Sequence, residues 1–262
     1  MIKRNNNKLI YIRIAGLSFR FIFVDYKNIL YPEGKRVKEY LEEEYKYFIT
    51  KKSKNIDFTF IFKNYPDLKT INIGKMFYVS TGISNNNSVE IFNQTSIFLA
   101  KHFINRVIEK LLIKQNGFIV HASASIIRNK ACLFIADSGG GKSTIVKLLS
   151  KKYTPYSDDK VIIKKEFNKY YVYQFKSSEK IFYAQKRERK IKLGKIFFIK
   201  KSKIVQIKEI LDKTDIIKKA SRNFFIGEIN RSERYKKLFQ FITDNKFYSL
   251  LFPNDDSVLL LI

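Results

Sequence analysis

The stretch Ala136-Asp-Ser-Gly-Gly-Gly-Lys-Ser-Thr144 follows an apolar run, Ala131 to Ile135, and precedes a helical one, Ile145 to Leu149. Strand, glycine-rich loop and helix in that order aim several backbone N–H groups and a helix N-terminus at one point, where a polyphosphate can sit. A chance glycine cluster in a surface turn would lack both flanks. In this arrangement Lys142 reaches the β- and γ-phosphates of a nucleoside triphosphate, and the Ser143 hydroxyl takes one position on Mg2+. The candidate nucleotide-binding residues are Asp137, Ser138, Gly139, Gly140, Gly141, Lys142, Ser143 and Thr144, with Ser143 also a metal ligand. The usual pattern, G-x-x-x-x-G-K-[ST], has glycine where this chain has Ala136, a residue small enough for the close turn.

A chain of 262 residues suffices for one large or two modest domains. Its aliphatic and aromatic content excludes a disordered chain. The longest apolar runs are strand-sized and broken by charge, as at Arg13 and Arg20 within Leu9 to Val24, which argues against a membrane span or a secretory signal. The expectation is a soluble, cytoplasmic protein. The single cysteine, Cys132, lies in the strand before the loop, where a small buried thiol is the expected role.

The net charge of +27 invites a polyanion as partner. Lys, Asn, Ile, Phe and Tyr are abundant, however, while Trp, Pro, Gly and Ala are scarce, and AT-rich codons produce that bias without any partner. The other readings of the charge are an acidic substrate or a weak, charge-driven nucleic-acid contact. A DNA-binding regulator finds no helix-turn-helix to support it.

The first third opens with alternating runs at Leu9 to Ile14 and Ser18 to Val24 joined at Ala15-Gly16, a hairpin signal. A helix is predicted over Lys35 to Phe48, with strands at Asp57 to Phe62, Met76 to Ser80 and Ser88 to Phe92. Ile97 to Ile113 carries apolar residues at helical period. Strands are expected at Phe118 to Ile127 and Lys130 to Ile135, then at Val161 to Lys165, Tyr170 to Phe175 and Lys195 to Ile199. Helices are expected within Ile210 to Ala220 and Arg231 to Thr243, before two final apolar runs. The division this suggests is a small α+β module over residues 1–93, a connecting helix over 94–117 and a phosphate-loop domain over 118–262. The fold class is α/β with α+β elements, and the loop domain has a mixed sheet.

A phosphate loop alone binds; reaction also needs a group that handles the attacking hydroxyl and completes the metal shell. Ser157-Asp-Asp-Lys160 follows the loop helix by a short connection and is expected to open a strand. Adjacent carboxylates cannot both be buried without metal, cation or substrate nearby, so one would accept a hydroxyl proton while the other helps to hold Mg2+. A solvated turn has the same composition. In most ATPases the second acidic motif ends a hydrophobic strand, whereas here Tyr153-Thr-Pro-Tyr-Ser precedes the pair.

Three blocks in order, Val120-His121-Ala122-Ser123, the loop itself and Ser157-Asp-Asp-Lys-Val161, resemble the HPr kinase/phosphorylase-like kinases. The resemblance implies a fold of the HPr kinase/phosphoenolpyruvate carboxykinase type and phosphoryl transfer from ATP to a hydroxyl. It further implies Asp158 as base toward the acceptor, Asp159 beside metal and phosphate, and His121 close to the nucleotide phosphates; a structural histidine on a strand is the alternative for His121. Lys142 completes the catalytic set. Thr144 stands where the bifunctional enzymes have glutamate, and their Glu-Ile-Arg-Gly-Leu-Gly signature has no clear counterpart. Compact relatives include kinases of ribosomally made peptide pathways, among them those acting on lasso-peptide precursors, and this chain looks more like that group. The expected substrate is then a serine or threonine of a peptide or small protein. The alternatives are a kinase of a free small-molecule hydroxyl and a non-catalytic ATP-binding regulator. Related enzymes often form hexamers, so a homo-oligomer is compatible with the resemblance. Arg187 and Arg189 read either as neutralisers of phosphoryl charge or as part of a solvated basic run.

Overall fold

The structure is a computed structural model that describes residues 8–29, 32–64, 84–85, 87–175, 190–224 and 231–260. The strand expected at Met76 to Ser80 and the pair Arg187 and Arg189 lie outside these residues. Among the described residues no helix is long and apolar enough to cross a membrane. The chain divides into two compact units, Met1–Val107 and Ile108–Ile262.

In the first unit β1 (Lys8–Ile14) and β2 (Leu17–Phe23) pair antiparallel through Ala15 and Gly16, whose φ angles are 49° and 84°. Two successive positive φ values make the tight two-residue turn whose twist matches the strands. Helix α1 (Pro32–Glu44) leads to β3 (Phe58–Lys63), which runs parallel to β2. The short β4 (Ser84–Asn85) and β5 (Ser88–Phe92) complete the order β1-β2-β3-β5-β4. Aromatic stacking across β2 and β3 holds the sheet together, with Phe21 on Phe60 and Phe23 on Phe62, both at 4.8 Å. Helix α1 stops short of its predicted end at Phe48, because Arg13 N donates to Phe48 O and Ile12 bridges Ile49. Those bonds cover the outer edge of β1. The buried residues Val37, Leu41, Tyr45 and Phe48 nevertheless keep a near-helical spacing, which is what the sequence pattern reports.

Helix α2 (Ile97–Lys114) spans the division between the units and buries Ala100, Ile104, Ile108 and Leu112, one residue per turn. In the second unit follow β6 (Gly117–Val120), β7 (Ser123–Ile127), β8 (Lys130–Ile135), α3 (Lys142–Leu149), β9 (Thr154–Ser157), β10 (Val161–Glu166) and β11 (Lys169–Gln174). After them come β12 (Ile191–Lys201), β13 (Gln206–Ile210), α4 (Lys213–Ser221), α5 (Arg231–Asp244) and β14 (Phe247–Phe252). The sheet order is β6-β10-β11-β12-β8-β7-β9, and β14 adds to β12 with β13 beyond it. Strand β12 runs parallel to both β8 and β14; its first residues pair instead with β11. The architecture is therefore mixed α/β with a mixed sheet.

Alternation along β8 divides the core between two layers. Ala131, Leu133 and Ile135 pack with Ile216, Ala220, Leu238 and Phe241 of α4 and α5, whereas Cys132 and Phe134 pack with Ile145, Val146 and Leu149 of α3. Gly194 lies within β12 because a side chain there would approach Cys132 Sγ at 2.9 Å, and the strand runs on both sides of it, beyond the predicted Lys195 to Ile199. The single run predicted over Phe118 to Ile127 is two strands, broken at His121 and Ala122. Strand β6 pairs with β10 and β7 with β8 and β9, and apolar periodicity is blind to such a change of partner. Strand β13 received no element in the sequence reading; among the described residues it pairs only with β14.

Phe241 is fully buried and its ring lies 5.2 Å from Phe118, 4.9 Å from Tyr170 and 5.9 Å from Phe247. Phe241→Ala is expected to cost about 3–5 kcal/mol of stability. Urea denaturation with an unchanged midpoint would show that this cluster does not hold the layer.

Candidate functional site

The loop leaves the carboxyl end of β8. Strand β9 is antiparallel to β7, which is antiparallel to β8, so β9 runs in the direction of β8 and ends at the same edge of the sheet. Asp158 follows its last residue, Ser157, directly. As expected, the acidic pair opens a strand, β10, which begins at Val161; what the sequence did not show is that Thr154–Ser157 before it is also a strand, so the pair sits in the turn between the two. Pro155 obscured the strand in the sequence, yet β9 is the outermost member of its sheet, where a missing N–H costs little. The Ser157 hydroxyl donates to Lys160 O at 2.8 Å and closes the turn that carries both carboxylates.

The loop conformation requires glycine at particular positions. Gly139 and Gly141 have φ of 78° and 98°, in the region L side chains rarely adopt. A side chain at Gly141 would also meet the Phe252 ring at 2.9 Å. Gly140 answers the Ala136 replacement, since a Cβ there would stand 2.6 Å from that of Ala136. Alanine is thus accommodated because its neighbour across the turn has no side chain. Gly141 caps α3 with no side-chain hydrogen bond to the helix, so no capping side chain competes with an anion for the first-turn amides.

Lys142 is nearly buried, and its Nζ donates to Ala136 O at 2.7 Å and to Asp137 O at 3.2 Å. Burial pushes its ammonium pKa below the ordinary lysine range, against the pull of Asp159 and Asp137. A bound triphosphate would compete with the two carbonyls for that ammonium. The buried Ser123 hydroxyl donates to Lys142 O at 3.1 Å and fixes the start of the helix on β7.

His121 stands at the break between β6 and β7. Its backbone N–H donates to Asn223 O at 2.8 Å, and its Nε2 lies 2.9 Å from Asp159 Oδ1. That contact, ahead of the fields of Lys160 and Lys142, holds the Asp159 carboxyl below the ordinary aspartate range despite partial burial.

His121, Ser138, Gly139, Gly141, Lys142, Ser143, Thr144, Asp158 and Asp159 line one cleft of about 400 Å³. Of the candidate residues, Asp137 and Gly140 line instead a second cleft of about 620 Å³ on the other side of the loop. The sequence reading missed Arg222, whose Nη1 lies 3.6 Å from Asp137 Oδ2, and Asn223, which holds the His121 backbone. Both follow α4, more than sixty residues beyond the acidic pair, and no local pattern signals them.

No protein-family model matches the chain, and no curated protein does. Among solved structures, the chain is similar to the Hpr(Ser) kinase/phosphatase from Coxiella burnetii, with 13% identity, a TM-score of 0.32, and 55% of this chain and 90% of that chain covered. A likeness at that TM-score decides neither fold nor chemistry.

Gly141→Ala is expected to cost about 1–3 kcal/mol through the strained φ and the Phe252 contact, read from chemical denaturation; a wild-type midpoint would rule out that constraint. A carboxylate with a depressed folded-state pKa contributes stability above its unfolded value, and that contribution is lost as pH falls through the folded value. His121→Ala should therefore move Asp159 upward toward the ordinary range and begin that loss at higher pH. A carboxyl-carbon NMR titration of Asp159 measures it, and an unmoved midpoint would show that the imidazole is not the cause.

Proposed function

We propose that the chain is an ATP- and Mg2+-dependent kinase that transfers a γ-phosphoryl group to a serine or threonine hydroxyl of a peptide or small protein. The observation that carries this reading is the joint placement of Lys142, Ser143, Asp158 and Asp159 on one cleft at the carboxyl ends of β8 and β9. The residues suit the ligands: uncapped helix amides, two glycines at positive φ and a buried lysine fit a polyphosphate. A serine hydroxyl and an ionised aspartate are the hard oxygen donors that Mg2+ takes. The resemblance of the three sequence blocks to the HPr kinase/phosphorylase-like kinases favours a hydroxyl acceptor, and their Lys-Ser-Thr and His-Ala forms favour a peptide.

In this reading the acceptor oxygen forms a bond to the γ-phosphorus as the bridging P–O bond breaks, and ADP leaves. Asp158 takes the hydroxyl proton. Ser143 and Asp159 would hold Mg2+, which when bound neutralises charge on the β- and γ-phosphate oxygens. His121 keeps Asp159 ionised and oriented. Lys142 and the loop amides hold the triphosphate in line with the acceptor, so that much of the rate comes from positioning and electrostatics.

Asp158→Asn should retain ATP binding and lose transfer by roughly 10²–10⁴-fold. Intact-mass analysis of a candidate acceptor, a precursor peptide or HPr, after incubation with ATP and Mg2+ measures it. Full phosphorylation by the variant would overturn the assignment of the base.

A further inference from the structure

The loop separates two clefts of opposite character. The one on the Asp158 side carries both carboxylates of the acidic pair; the one of about 620 Å³ on the far side is lined by Lys200, Lys201, Lys218, Lys219 and Arg222. Two elements supply these cations: the carboxyl end of β12 gives the first two, and α4 with the residue after it gives the others. Asp215 takes Lys219 at 2.6 Å, and Asp137 lies 3.6 Å from Arg222. Among the described residues Lys200, Lys201 and Lys218 have no carboxylate partner, although all three are exposed. The floor beneath them includes Phe198 and Leu251. Apolar walls of low dielectric focus the field of the cations into the cleft.

We propose that this cleft binds an acidic segment of the phosphate acceptor, a peptide with aspartate or glutamate near the modified hydroxyl. The inference rests on the kinase reading of the neighbouring cleft and names the acceptor class for it. Both clefts include Gly139, so a peptide lying across the loop reaches both. Its acidic flank is repelled by Asp158 and Asp159 and drawn to the lysines, which orients the hydroxyl toward Asp158. A neutral nucleoside gains little from so many cations. A nucleic acid would follow an extended basic track, whereas these lysines converge in a cavity of the size that holds a short segment.

The test is fluorescence anisotropy with a labelled peptide of one serine flanked by glutamates, added to the full chain with Mg2+ and a non-hydrolysable ATP analogue. The pair Lys200→Glu and Lys218→Glu should weaken binding by roughly tenfold or more, because two attractive charges become repulsive. The charge-matched pair Lys130→Glu and Lys192→Glu, at the amino ends of β8 and β12 and so at the opposite end of the sheet from the loop, should change it by less than about twofold. Analogue affinity, measured separately, should be unchanged in both variants.

Equal weakening by both pairs would overturn the proposal in favour of the bulk charge. Loss of analogue affinity in the first pair alone would assign the cleft to the nucleoside. Tighter binding of a single-stranded oligonucleotide than of the peptide, abolished by the same pair, would assign it to nucleic acid and also overturn the proposal. The assay needs no phosphoryl transfer, so its failure is distinct from failure of the kinase reading, which Asp158→Asn tests.

Discussion

The parallel pairing of β8 with β12 is the constraint on which the second unit depends. Leu133, Phe134 and Ile135 sit opposite Ile196, Phe197 and Phe198, and all three β8 residues are wholly buried. Because β14 is parallel to β12 on its other edge, three strands deliver their carboxyl ends to one side of the sheet. Polar backbone groups cannot remain unpaired there, so the exits become loops and a helix N-terminus, and the candidate binding residues collect at that crevice. Strand β9 adds its own end to the same side through two antiparallel steps, which brings the acidic pair beside the glycines. The arrangement of the candidate site is thus a consequence of strand direction before it is one of side-chain choice.

Side chains then tie the edge together from distant parts of the chain. Ser123 anchors the first carbonyl of α3, Asn223 anchors the His121 amide, and His121 contacts Asp159. A carboxylate held in this way loses rotational freedom and keeps its charge, both of which a metal ligand or a phosphate-facing group requires. The substitution at Ala136 shows the same economy of space. It transfers the need for a bare α-carbon from one side of the turn to the other, onto Gly140.

Much of this was legible in the sequence, for reasons that can be stated by element. The loop and its helix announce themselves because phosphate geometry restricts residue type, and the hairpin at Ala15-Gly16 because two alternating runs flank a glycine at positive φ. The long α2 was visible because its burial repeats every turn over eighteen residues. What escaped notice depends on partners distant in sequence. Nothing in Val120-His121-Ala122 records that the chain changes neighbours there, and nothing near Arg222 records that Asp137 is across the cleft. Strand β9 escaped because its proline is a warning only for interior strands. The candidate site was readable as residue types in order; the side of the loop each would occupy was not.

The charge of +27 acquires meaning only when divided by location. Many lysines are neutralised locally, as Lys151 by Asp256, Lys165 by Asp244 and Lys190 by Glu166. Exposed pairs of this kind contribute little to stability, and they remove those cations from any local recognition role. The overall excess still raises the local concentration of polyanions, an effect that salt screens over about 10 Å. It draws a triphosphate, an acidic peptide and a nucleic acid alike, and so discriminates among none of them. Discrimination requires cations without partners, held at fixed distance from a reacting centre and next to carboxylates that repel the wrong orientation. In the proposed reading the edge around the loop has that juxtaposition among the described residues, with Asp158 and Asp159 on one side and Lys200, Lys201 and Lys218 on the other. An excess of lysine imposed by codon usage would supply the cations; the strand directions determine that some of them face this loop.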